Sequence, residues 1–225
     1  MLKRKDVVFK RHAQARRYIA RVDSEGQIVL TLPRGGTQRD ALSFANNHYE
    51  WLVDEKRKAL LRRKEKGRLF AGDQIWFRGE RHPLGVVRDW GRPILRFADQ
   101  AVLIADAEMD LARPLGQHLR GLAKKEFPVR TQYFADRHGV KFSRVAVRDQ
   151  RTRWGSCSAA GTISLNWRLI MTPPETSDYI IIHELMHTEE MNHSHRFWRL
   201  VREACPDYKR HEDWLGRHQN ELAWG

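Results

Sequence analysis

A five-residue pattern inside an apolar segment constrains the fold of this chain more than any other feature. His183 and His187 flank Glu184 in the order His-Glu-Leu-Met-His. If residues 179–190 are helical, positions 183 and 187 lie one turn apart on one face, so both imidazoles can reach one cation. Glu184 lies about 100° further round that helix, near enough to touch a water molecule at the cation. The pattern predicts a helix that carries a metal site.

The surrounding residues predict the same helix independently. The sequence Thr-Pro-Pro-Glu at 172–175 offers an N-cap threonine, proline in the first turn and an acid three residues after the cap. The residues that follow are apolar on nearly every side, as in a helix at the centre of a domain: Tyr179, Ile180, Ile181, Ile182, Leu185 and Met186. Histidines and a glutamate are costly there unless something pairs with them. We therefore favour metal ligation over ordinary hydrogen-bonded core groups.

A third metal ligand has several candidates, namely His193, His195, His211, Glu189 and Glu190. The chain is expected to leave the helix near residue 192. Ser194 is then the expected N-cap of a second helix, whose apolar residues are spaced at i, i+3, i+4 and i+7. A turn between the helices can bring His193 back to the first pair, whereas His195 would point elsewhere. We predict His193, with the other four as alternatives. Three protein ligands and one water molecule are the open arrangement of catalytic zinc.

These motifs resemble those of the YgjP-like metallopeptidases, relatives of the SprT and WLM zinc proteases. The similar segments are 183–187, 192–194, 197–198, 153–158 and 165–170, with looser likeness at 30–33, 72–73 and Gly79. The resemblance covers almost the whole chain. It implies that His183, His187 and His193 hold one Zn²⁺ per chain and that Glu184 is the catalytic acid, and it gives His195 no counterpart. A UTP pyrophosphatase role has also been attached to the family.

Composition sets the limits within which the chain must fold. With 225 residues, 41% of them hydrophobic, and eight tryptophans, it can bury a proper core as one large domain or two small ones. No apolar run has the length of a membrane span, and the basic start lacks a following apolar region. Cys157 and Cys205 are the only cysteines, too few for a disulfide framework. We expect a cytoplasmic protein that does not enter a membrane; no oligomeric state is predicted.

The formal net charge of +13 is concentrated in two blocks. These contain Lys3, Arg4, Lys5, Lys10, Arg11, Arg16, Arg17 and Arg21, and then Lys56, Arg57, Lys58, Arg62, Arg63, Lys64, Lys66 and Arg68. Such blocks can make non-specific contact with nucleic-acid phosphates. Alternatively, they are a solubilising surface, and the second block complements a helix C-terminus that stops at Gly67.

Periodicity predicts an α+β protein. A hairpin is expected at 16–22 and 27–32, then a helix at 37–66 that buries Ala41, Leu42, Phe44, Ala45, His48, Trp51 and Leu52. Short strands at 74–78, 82–88, 94–97 and 102–105 predict a small antiparallel sheet, and a helix at 110–137 follows. Strands at 142–148 and 162–165 flank a turn, and three helices close the chain. We predict a β-rich region at 1–108 and a zincin-like catalytic region at 109–225, together one YgjP-like domain.

The predicted function is zinc-dependent hydrolysis, with metal-activated water and Glu184 as general base. By resemblance, strand 162–165 would pair with an extended polypeptide as an edge strand. Arg148, Arg151 and Arg153 could stabilise an oxyanion, clamp a carboxylate or grip a phosphate, or simply form surface ion pairs. A three-histidine site favours a polypeptide substrate over a nucleotide, because Mg²⁺-dependent phosphate chemistry uses oxygen ligands. A nucleoside triphosphate pyrophosphatase is therefore second, and a nucleic-acid-associated protein with structural zinc third.

Overall fold

The computed structural model describes residues 2–12, 14–23, 26–65 and 67–224, without the side chains of residues 60–65. The chain forms two compact units, Met1–Leu69 and Phe70–Gly225. The predicted α+β class is confirmed, with a β-rich amino-terminal part and a helical carboxy-terminal half. The division into a β-rich region at 1–108 and a catalytic region at 109–225, together one domain, stays a prediction.

The first unit contains a three-stranded sheet. Strands β1 (Val7–Arg11), β2 (Ile19–Val22) and β3 (Ile28–Leu32) lie in the order β1-β3-β2. The β2–β3 pair is antiparallel and confirms the predicted hairpin, although Ser24 and Glu25 of its turn lie outside the described residues. Strand β1 runs parallel to β3 and was not predicted. Its partner is distant in the sequence, and its own residues merge with the first basic block.

Two helices, α1 (Gln38–Asn47) and α2 (Tyr49–Glu65), replace the single helix predicted at 37–66. The break falls at His48, whose ψ of 26° leaves the helical region. His48, at the break, is exposed, and Trp51 is 52% exposed because the break resets the helical phase; the prediction that both are buried is wrong. Among the described residues, one core cluster contains Ile28, Leu30, Leu32, Ala41, Ala45 and Leu52.

The basic residues of the first block are all exposed. In the second block Lys58 pairs with Asp54 and Glu55, and Arg57 pairs with Asp54. The side chains of Arg62, Arg63, Lys64 and Lys66 lie outside the described residues. Non-specific nucleic-acid contact through these blocks stays a prediction.

The second unit begins with two small antiparallel sheets where one was predicted. Strands β4 (Gln74–Phe77) and β5 (Glu80–Pro83) form a hairpin, and β6 (Gly85–Asp89), β7 (Arg92–Phe97) and β8 (Gln100–Leu103) form a meander. The turn of the first hairpin is Arg78-Gly79, both with positive φ, as tight hairpin turns require. The Gly79 N–H donates to the Met171 carbonyl at 3.0 Å, which ties this hairpin to the segment before the predicted metal helix.

Helix α3 (Ala112–His138) continues through Pro128 and ends at Gly139, whose φ of 67° is left-handed. It is followed by a mixed sheet of β9 (Arg144–Arg148), β10 (Gly155–Cys157) and β11 (Thr162–Asn166) in the order β10-β11-β9. The prediction that 162–165 is an edge strand is wrong, because β11 is paired on both sides. The edge strands are β9 and β10, and the sequence predicts β10 as part of a turn.

Helices α4 (Pro174–Met186), α5 (His195–Ala204) and α6 (Tyr208–Leu222) confirm the three predicted closing helices. The predicted N-cap role of Thr172 is wrong: its hydroxyl donates to the Leu169 carbonyl, and α4 begins at Pro174 without a side-chain cap. Helix α4 also ends before residue 190. The Thr188 N–H donates to the Leu185 carbonyl, three residues earlier, which is the bond of a 3₁₀ turn rather than of an α-helix. It packs against α3, α5, α6 and β10, at the centre of this unit. No described helix is both long and apolar enough to cross a membrane.

Candidate metal centre

Three imidazoles converge at the carboxy-terminal end of α4. A potential ligand nitrogen of each of His183, His187 and His193 lies within 4.8 Å of the other two. The Nε2 atoms of His183 and His193 are 3.2 Å apart. His187 is the C-cap of α4 but keeps helical dihedrals, so the one-turn spacing to His183 is preserved. This set could hold one metal ion, and no other such group occurs in the described parts of the chain.

The turn after α4 fixes the orientation of His187. Its Nδ1 lies 3.0 Å from the Glu190 carbonyl oxygen, so Nδ1 carries the proton and Nε2 presents its lone pair. The Ser194 hydroxyl caps α5 by accepting from the Phe197 N–H, which confirms the predicted cap. Between these two anchors the chain reverses and presents His193 to the α4 pair.

Aromatic side chains form the wall behind the imidazoles. Phe197, which is fully buried, stacks on His187 at a centroid distance of 4.3 Å and meets His183 edge-on at 4.9 Å. Trp198 stacks on His193 at 5.7 Å. Phe197 and Trp198 are the first apolar residues of α5, so the first turn of this helix supplies both aromatic contacts. This packing restricts the ring rotamers and prepares the imidazoles for a shared ligand.

Electrostatics favour neutral imidazoles at this site. Burial, with help from the neighbouring His187 and His193, lowers the pKa of His183 to about 3. Burial also lowers the pKa of His187, partly opposed by the Glu190 carbonyl. A metal ligand must be deprotonated at the coordinating nitrogen, so these histidines are in their ligating form at neutral pH. The buried Nδ1 of His183 has no hydrogen-bond partner among the described residues.

Glu184 lies on α4 and packs against the edge strand β10. It is only 5% exposed, and a Cβ atom placed on Gly155 would lie 2.5 Å from its Oε1. Any larger residue at 155 would therefore move this carboxylate from its observed position. Burial raises the pKa of Glu184 to about 8, and the Arg153 guanidinium acts in the opposite direction. A group with this pKa can accept and return a proton near neutrality.

The remaining predicted residues lie outside the histidine cluster. His195 is exposed at the start of α5, and His211 bonds the Thr176 hydroxyl through Nδ1 at 3.1 Å. Glu190 reaches the site through its main-chain carbonyl rather than its carboxylate. The alternatives to His193 are thus not brought to the His183–His187 pair.

The three arginines predicted near the site, Arg148, Arg151 and Arg153, are all exposed and do not form one cluster. Arg151 and Arg153 line a cavity before β10, whereas Arg148 ends β9 and does not line it. Of the three, Arg153 is the one whose charge acts on Glu184. Cys157 is half-buried, and burial raises the pKa of its thiol, with a smaller contribution from Glu184.

Sequence reasoning did not find the roles of Gly155 and Phe197. Gly155 lies in the Arg-Trp-Gly-Ser-Cys segment, which had been noted only for its resemblance, and its contact with α4 is long-range. Phe197 is the first of the apolar residues whose i, i+3, i+4 and i+7 spacing predicts the second helix, but that spacing does not indicate that this face covers histidines.

Three converging imidazoles, with a buried carboxylate on the helix that carries two of them, are typical of metal-dependent hydrolases. The YgjP-like metallopeptidase domain model matches residues 16–218. The chain belongs to the YgjP-like metallopeptidase family, as predicted, and is a metal-dependent peptidase.

Among solved structures, the metallopeptidase zymogen of Pyrococcus abyssi abylysin is similar to this chain, with 30% identity and a TM-score of 0.37. The match covers 40% of this chain and 92% of that one. No curated protein gives a significant match.

Proposed function

We propose that this protein is a zinc-dependent peptidase in which His183, His187 and His193 hold the metal and Glu184 is the general base. The observation that carries the proposal is the buried Glu184 carboxylate beside three converging imidazoles. The donor set fits zinc, because two nitrogens about 2.0–2.1 Å from a tetrahedral ion lie roughly 3.3 Å apart. The observed Nε2–Nε2 separation between His183 and His193 is 3.2 Å.

Each residue has a defined part in hydrolysis. Zinc, when bound, supplies a Lewis acid that makes water more acidic and polarises the scissile carbonyl. Glu184 accepts the proton of the attacking water and then passes it to the leaving amine. Phe197 and Trp198 hold the imidazoles in place, and Gly155 gives the carboxylate its position on the strand side.

The edge strand β10 supports an extended polypeptide as substrate. The Trp154 carbonyl accepts from the Asn166 N–H, and the Ser158 N–H donates to the Thr162 carbonyl, so the even-numbered residues face β11. Main-chain groups alternate along an antiparallel strand, and those of Gly155 and Cys157 therefore point away from β11. An extended peptide can pair with them beside Glu184. We assign to this edge the role that the family resemblance implies for 162–165.

The proposal is tested by comparing substrates with one zinc-loaded preparation. Unfolded casein-type polypeptide and nucleoside triphosphates are incubated separately, and products are identified by mass spectrometry and chromatography. We expect new peptide termini that disappear with a chelator and return with zinc. Release of pyrophosphate and a nucleoside monophosphate, without peptide cleavage, would replace the peptidase by a pyrophosphatase.

A further inference from the structure

A polar cavity of about 450 Å³ lies beside the start of β10. The loop from Gln150 to Trp154 forms one wall. The other walls are Asn166 at the end of β11, Arg168 just after it, and residues in and after α6. Three of its lining residues are Arg151, Arg153 and Arg168, and none is acidic. The cavity is therefore positively charged by its own walls.

The positive charge is only partly neutralised within the fold. Arg168 pairs with Asp149, which also binds Arg120 from α3, so this carboxylate is shared by two guanidinium groups. Arg151 and Arg153 are exposed and make no ion pair or hydrogen bond within the described ranges of the chain, although the charge of Arg153 also acts on Glu184. Both guanidinium groups can therefore bind an anion from outside.

Two buried polar atoms on lining residues also lack partners. Nε of Arg168 and Oε1 of Gln150 are buried and make no hydrogen bond to any described residue. Buried polar groups are normally satisfied, and each one left unsatisfied costs free energy. Both residues line the cavity, so its walls include polar groups that the described fold leaves unsatisfied.

The cavity lies at a defined distance from the proposed chemistry. Glu184 packs against Gly155, and Arg153 is two residues earlier in the chain. Because an extended chain spans at most about 3.3–3.6 Å per residue, the two positions are no more than roughly 7 Å apart along the backbone. A peptide aligned on β10 would therefore bring the second residue from the cleaved bond to Arg151 and Arg153.

We infer that this cavity is a specificity site for a carboxylate of the polypeptide substrate, at the second residue from the cleaved bond. The inference rests on the proposed peptidase function. Guanidinium groups bind carboxylates with paired, charge-assisted hydrogen bonds, which sets them apart from lysine. The carboxylate is either an Asp or Glu side chain or the free carboxy-terminus of the substrate.

Matched peptides distinguish these two sources. A cleaved sequence is first mapped on an unfolded polypeptide, and peptides are then made with Glu or Gln at the second position on either side of the bond. A second pair has a free or an amidated carboxy-terminus. The ratio of kcat/KM within each pair is measured for the wild type, Arg151→Gln, Arg153→Gln and a control, Arg92→Gln. Arg92 is an exposed arginine on β7 that does not line the cavity.

We expect the wild type to prefer one carboxylate-bearing peptide by roughly 10- to 100-fold, the range of a hydrogen bond to a charged group. Either cavity variant should remove most of that preference, and Arg92→Gln should keep it. The ratio of kcat/KM within a pair is the readout, because Arg153 also acts on Glu184. A change at Glu184 alters the rate on both peptides of a pair and leaves their ratio unchanged. Arg153→Glu should shift the preference to a lysine peptide, a change that a merely structural role would not cause.

Binding separates failure of this inference from failure of the proposed function. The same peptides are titrated into zinc-loaded Glu184→Gln protein by calorimetry, so turnover is not needed. Cleavage with equal kcat/KM within both pairs would overturn the carboxylate site and leave the peptidase intact. If no polypeptide is cleaved, no bond can be mapped and the peptidase fails; unstructured peptides with one Glu or Gln, and with a free or an amidated carboxy-terminus, are then titrated instead, and their affinity ratio decides the cavity. Equal affinities, or binding of a nucleoside triphosphate in place of acidic peptides, would overturn it.

Discussion

Gly155→Ala tests how the edge strand positions the general base. A Cβ at residue 155 would lie 2.5 Å from Oε1, 2.7 Å from Cγ and 2.8 Å from Cδ of Glu184, whereas ordinary contact begins near 3.4 Å. The glutamate side chain can move, so the fold should survive, but the carboxylate must shift by roughly 1 Å. A misplacement of that size can cost about 10²-fold in rate. The histidines are not displaced, so zinc should stay bound.

The assay for Gly155→Ala combines three measurements on one preparation. The kcat/KM on an unfolded polypeptide should fall about 10²-fold, a loss of about 2.7 kcal/mol of transition-state stabilisation. Zinc content by elemental analysis and the thermal unfolding midpoint report on the site and the fold. Gly121→Ala is the matched control: it lies in α3 with open space around its Cβ, and alanine there should stabilise the helix by roughly 0.5–1 kcal/mol. Wild-type turnover of zinc-loaded Gly155→Ala would refute the reasoning.

Two further predictions concern the metal ligands and the start of α4. His193→Ala should lose most of its zinc in dialysis followed by elemental analysis, since two remaining ligands hold zinc poorly, whereas His195→Ala should retain it; the opposite pattern would exclude the proposed third ligand. Gly79→Ala should lower the free energy of urea unfolding more than Gly91→Ala. Both glycines have positive φ, which costs alanine about 1–2 kcal/mol, but only at Gly79 would the Cβ also clash with Pro173, at 2.7–2.8 Å. The added overpacking is worth roughly 1–3 kcal/mol, and equal losses would show that the turn, not the contact, matters.

The histidine cluster could be predicted from the sequence because its determinants are local. The spacing of His183 and His187 needs only one helical turn, and Ser194 is a typical N-cap residue that predicts the start of the next helix. The apolar run of α4 also predicted its burial. These signals act over ten residues or fewer, where helical periodicity and capping are sufficient.

The edge strand could not be predicted for the opposite reason. The strand Gly155–Cys157 is too short to show an alternation of apolar and polar residues. It pairs with Ile163–Leu165 of β11, and it lies at an edge because β9 pairs with the opposite side of β11. Strand order depends on contacts between distant segments, which periodicity does not encode. The same holds for the position of Gly155 against Glu184. The break at His48 follows Asn46 and Asn47, residues common at helix ends, but neither proline nor glycine marks it.

The central claim is that Glu184 acts as the general base beside a zinc ion held by three histidines. Glu184→Gln keeps the shape of the side chain but cannot accept a proton. We predict that the purified variant keeps close to one zinc per chain and its wild-type unfolding midpoint, while turnover of polypeptide falls by about 10²–10⁴-fold. A zinc-loaded Glu184→Gln protein that cleaves polypeptide at a rate near wild type would contradict the account.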